Sequence, residues 1–118
     1  MNDAIDRLYE GVRQARVADP AHSRTARLMA GGIAKMAKKV GEEAVEVGLD
    51  AVKGDRTAVI AESADLIYNL VVLWAASGIA PEDVWSEMDR RERMMGLAEK
   101  LPKQSAKLVY GAAVFSGK

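Results

Sequence analysis

Apolar residues recur at helical spacing along most of the chain. Ile5, Leu8, Val12 and Ala15 fall on one face of a helix predicted over residues 3–17. "ADPAHSRT" is a predicted turn, where Asp19–Pro20 breaks the helix and Ser23 is free to cap a short helical turn through "ARLMA". After Gly31–Gly32 a second long helix is predicted from Ile33 to Lys53, closed by Gly54. Asp55 caps a third that runs to Ser77 ahead of Gly78. Pro81 opens a fourth, with Glu82 and Asp83 in its first turn and Arg90, Arg91 and Arg93 later, an order that suits the helix dipole. Alternation of period two is absent except in "KLVYGAAVF" at 107–115. The expectation is an all-α, bundle-like fold of four to five helices over residues 1–102, with 103–118 as an extension of unassigned conformation.

Composition narrows the chemistry. The chain has 118 residues, 49% hydrophobic and 29% charged, which fits one globular domain with a modest core. Its formal net charge is zero, so no general attraction to nucleic acid or an acidic membrane is expected, and any anion site must come from local placement of Lys and Arg. Without cysteine there is no disulfide, thiol nucleophile or cysteine-bound zinc. The N-terminus lacks the apolar run of a signal peptide, and the longest apolar stretch, "LIYNLVVLWAA", is read as too short to span a bilayer. A cytoplasmic protein is expected.

The informative departures are two polar stripes. On a wheel with Glu42 at zero and about 100° per residue, Lys35, Lys39, Glu43 and Glu46 lie within about 100° of it. Ile33, Met36, Ala37, Val40, Ala44 and Val47 occupy about 120° to 220°, so these charges are expected opposite the core face. A solvated face would explain that stripe alone. The next helix, "TAVIAESADLIYNLVVLWAA", is apolar nearly all round, yet Glu62, Asp65 and Asn69 share an arc of about 60°. Carboxylates in such a helix need either cationic partners in buried salt bridges or a metal. The short connection "KGD" makes the two helices antiparallel neighbours, so Glu42, Glu43, Glu46, Glu62 and Asp65 are expected to converge. An all-oxygen set selects Mg²⁺, or Mn²⁺, over zinc.

"EEAVE" followed by "ESAD" is the EExxE…ExxD pattern of the MazG-like, all-α nucleoside-triphosphate pyrophosphohydrolases. The text from about Ser23 to Lys100 resembles the phosphoribosyl-ATP pyrophosphatase family almost without gaps. That resemblance implies a Mg²⁺-dependent helical homodimer that hydrolyses phosphoribosyl-ATP to phosphoribosyl-AMP and pyrophosphate, the second step of histidine biosynthesis. Two positions depart from the family's usual text: Arg24 stands for an aromatic residue in "SRTA", and Asn69 stands for histidine in "IYNLVVL". They bear on the substrate more than on the reaction type.

Carried onto this chain, the resemblance makes Glu42, Glu43, Glu46, Glu62 and Asp65 metal ligands. Glu43 is either ligand or general base, and Glu46 is its companion in catalysis. Lys38 and Lys39 are read as phosphate contacts or as a solvated pair, and Arg91, which falls on the apolar face of its helix with Val84, Trp85, Met88 and Met95, as a phosphate partner, an ion-pair partner or a buried stem with an exposed head. Asn69 is expected to contact substrate or a metal ligand. The third long helix has more apolar surface than one small chain can cover, which independently predicts a homodimer. Two rival readings are a house-cleaning nucleoside-triphosphate pyrophosphohydrolase with the same metal site and a helical interaction module without activity.

Overall fold

The computed structural model describes residues 3–99. It contains five helices: α1 (Ala4–Ala15), α2 (Arg24–Ala30), α3 (Ile33–Val52), α4 (Arg56–Ala76) and α5 (Pro81–Glu99). Among the described residues there is no strand. The suggested strand at 107–115 and the extension at 103–118 lie outside the described residues.

The helix ends form where local chemistry directs them. The Ser23 hydroxyl accepts from the Ala26 amide at 3.1 Å to start α2, and an Asp55 carboxylate oxygen accepts from the Ala58 amide at 3.0 Å to start α4. Gly54 (φ +74) and Gly78 (φ +74) follow α3 and α4 in the left-handed region that only glycine enters cheaply. The connection between α3 and α4 is Lys53–Asp55, and the two helices pack against each other along their length as an antiparallel hairpin.

The chain divides into two compact units, with the division after Pro81. In the first, α1 and α2 pack on the α3–α4 hairpin. Val12, Leu28, Met36, Val71, Val72 and Ala75 form the core, lined at its edge by Ile5, Leu8, Tyr9 and Trp74. The predicted face of α1 is therefore the packed one. In the second unit, α5 carries its own ion pairs: Glu87 takes Arg90 at 2.6 Å and Arg91 at 3.0 Å, and the two guanidinium groups hold its carboxyl down near 2.

Two expectations need correction. The predicted inward arc of α3 is rotated. Met36 is buried and Lys39, Val40, Glu43, Val47 and Asp50 are half-buried, whereas Ile33, Ala37 and Ala44 are exposed. On the same wheel the inward arc runs from about 60° to 160°, so Lys39 and Glu43 lie within it rather than opposite it. The rotation sets Glu43 beside the carboxylates of α4. The second correction concerns α4. At 21 residues it is long and apolar enough to cross a membrane by length and composition, where the sequence reading took its apolar run as too short. Within this chain α4 packs against α1, α2 and α3 and carries Glu62 and Asp65 near its middle, with its buried residues Asn69, Val71, Val72 and Ala75 toward its C-terminal end.

Candidate functional site

The α3–α4 crossing brings three carboxylates together. One oxygen from each of Glu43, Glu62 and Asp65 lies within 4.8 Å of the other two. As carboxylates, Glu43 Oε2 and Glu62 Oε2 are enclosed with no hydrogen-bond partner. Such a cluster is costly without a counter-charge, and protonation is the cheapest one available. Glu62 accordingly keeps a proton up to about 8, because it shares that proton first with Glu43 and then with Glu46; desolvation and the charges of both neighbours add to the effect. The ion pairs among the described residues are Arg7–Asp3, Arg13–Glu10, His22–Asp19 and the pairs of Glu87 with Arg90 and Arg91. None reaches this cluster, so the salt-bridge explanation for acids on α4 has no partner to rest on. Enclosed, donor-free oxygens in an all-oxygen set fit a hard divalent cation.

The remaining residues singled out in the sequence are placed as follows. Glu46 neighbours Glu62 across the hairpin and is exposed. Glu42 is exposed and borders an open groove along α3 with Lys38, Lys39 and Glu46; it is not one of the three convergent acids. Asn69, one turn beyond Asp65, is 3% exposed. Its Nδ2 donates to the Asp65 carbonyl at 2.9 Å, which fixes the amide orientation and leaves Oδ1 without a donor. Arg91 is exposed and donates to Glu87 on its own helix, so its position reflects an ion pair within α5.

A second cluster was not assembled by sequence reasoning. Arg24, Arg27, Lys35, Lys39, Leu28 and Asn69 line a cavity of about 240 Å³. Arg24 sits 5.4 Å above the Tyr68 ring, whose hydroxyl bonds Thr25 Oγ1 at 2.7 Å, and Arg27 donates to the Pro20 carbonyl at 2.9 Å. The signal was present as Arg24/Arg27 at i,i+3 and Lys35/Lys39 at i,i+4. Nothing in the spacing of one helix reveals that the other faces it.

Comparison with known proteins decides the family. The model of the phosphoribosyl-ATP pyrophosphohydrolase family matches residues 5–92. The chain belongs to that family. Among its relatives, "Phosphoribosyl-ATP pyrophosphatase 2" of Rhodopseudomonas palustris is 65% identical over 103 residues, covering 87% of this chain and 79% of the relative. The protein of the same name from Bradyrhizobium diazoefficiens is 63% identical over 108 residues, 92% of this chain and 81% of the relative. "Phosphoribosyl-ATP pyrophosphatase" of Gluconobacter oxydans is 50% identical over 104 residues, 88% and 78%. The match to the pyrophosphohydrolase family spans both halves of the carboxylate cluster and the basic cavity beside it.

Proposed function

We propose that this chain is a cytoplasmic enzyme that hydrolyses phosphoribosyl-ATP to phosphoribosyl-AMP and pyrophosphate. Water attacks the α-phosphorus, the bond from that phosphorus to the bridging oxygen breaks, and pyrophosphate departs. The observation that carries the reading is the convergence of Glu43, Glu62 and exposed Asp65, with one buried oxygen each on Glu43 and Glu62 that has no hydrogen-bond donor, in a member of this family.

Glu43, Glu62 and Asp65 would hold Mg²⁺, or Mn²⁺, which when bound neutralises charge on the phosphates and lowers the pKa of water. Glu46, exposed beside the cluster, is free to accept the proton of the attacking water, and Glu43 shares that task by hydrogen bonding within the group. Glu42, Lys38 and Lys39 on the groove of α3 supply the approach to the phosphates. The site takes shape on a homodimer, because α3 and α4 leave Val45, Leu49, Val52, Ile60 and Ile67 exposed along the hairpin.

The test is pyrophosphate release with Mg²⁺ across phosphoribosyl-ATP, ATP, dCTP and dUTP. Preference for phosphoribosyl-ATP, lost in excess EDTA and restored by Mg²⁺, is the expected result. Preference for one of the other triphosphates would assign a house-cleaning role instead, and full activity in EDTA would remove the metal from the scheme.

A further inference from the structure

The basic cavity has a composition that packing alone does not require. Four cationic side chains from α2 and α3 line one small space with the buried Asn69. None of the four has a carboxylate partner among the described residues: Arg24 lies over Tyr68, Arg27 bonds a backbone carbonyl, and Lys35 and Lys39 make no ion pair. Arg24, Arg27 and Lys35 are exposed and Lys39 is half-buried, so water screens their mutual repulsion, and the positive field they share favours an anion between them. At the same place Asn69 Oδ1 is enclosed without a donor. An anion that draws the Lys35 and Lys39 ammonium groups inward also brings donors to that oxygen, so one ligand resolves both deficits.

Position narrows the ligand. Lys39 precedes Glu43 by one turn of α3, and Asn69 follows Asp65 by one turn of α4. The cavity therefore lies about 5–6 Å along the hairpin from the carboxylates. A polyphosphate spans that interval. The nucleoside between the α-phosphate and the second ribose phosphate of phosphoribosyl-ATP is much longer. We propose that this cavity binds the terminal phosphates of the substrate, the pyrophosphate that leaves, with Arg24, Arg27, Lys35 and Lys39 as its oxyanion contacts and Asn69 tying the cavity to the Asp65 turn. The assignment rests on the proposed hydrolysis for its place in a reaction, but the binding itself is measurable without turnover.

Titration calorimetry of the full chain with inorganic pyrophosphate, with and without Mg²⁺, provides the test. Arg24→Gln and Lys35→Gln should each weaken pyrophosphate binding about tenfold or more, the scale of one lost charge-assisted hydrogen bond. The same change at exposed Lys53 should leave it unaltered, and ribose 5-phosphate should not compete. Equal weakening by Lys53→Gln would mean charge alone is sensed, and would overturn the site. So would unchanged affinity in both cavity variants, or binding of ribose 5-phosphate in place of pyrophosphate. Pyrophosphate bound as expected by a protein that fails to turn over phosphoribosyl-ATP would defeat the proposed reaction and leave this cavity standing.

Discussion

Removing one acid from the cluster discriminates between the reasons for its presence. Glu62→Gln and Asp65→Asn each relieve repulsion in the metal-free protein, so the Tm in EDTA should hold or rise, where a broken buried salt bridge would cost about 3–5 kcal/mol. Turnover should fall about a thousandfold, the scale of several kcal/mol of lost charge stabilisation. The retained proton adds a pH dependence. Glu62 titrates near 8 in the folded chain against an ordinary 4.5, so its contribution to stability is complete below about 4.5 and lost as pH rises through about 8. The Tm in EDTA should therefore decline across that window, and Glu62→Gln should flatten the decline. Because proton and cation compete, apparent Mg²⁺ affinity should rise with pH over the same range, by up to about tenfold per unit. At this scale the acids of α4 were legible, since each interrupts an apolar helix. The convergence of Arg24, Arg27 and Lys35 was not, because cations on two helices look unrelated until the helices are placed side by side.

Among the elements, the caps carried their own signal: Ser23, Asp55, Gly54, Gly78 and Pro81 each sit at or beside the boundary they foretold. The rotation of α3 did not, because its apolar arc is shared between a face packed on α4 and a face that this chain leaves open. Hydrophobicity marks both alike; only the placement of α4 separates them. The α3–α4 turn is open to direct test. A side chain at Gly54 must enter the left-handed region, so Gly54→Ala should lower stability by about 1–2 kcal/mol although nothing crowds the added methyl. Asp55→Ala, which deletes the α4 cap, should cost about 1 kcal/mol. Chemical denaturation of both variants in EDTA checks the pair.

For the whole molecule, the uncovered apolar residues of the hairpin set the expected assembly. Light scattering at micromolar concentration should give twice the chain mass, and Leu49→Glu, which places a charge on a residue now 56% exposed, should shift the population toward monomer. A monomeric parent protein would remove the dimer from the reading. The three-residue link between α3 and α4 also has a consequence in time. Contacts between helices so close in sequence form early, before the more distant α1 can be collected onto α4. Glu43 is thus driven against Glu62 and Asp65 while the rest of the molecule is still assembling, and their repulsion falls on the barrier to folding. Glu62→Gln should consequently speed refolding in EDTA while leaving the unfolding rate nearly unchanged, and Mg²⁺ added during refolding should have the same effect on the parent chain. Stopped-flow measurements in which both act only on unfolding would place the cluster late, after the hairpin has closed.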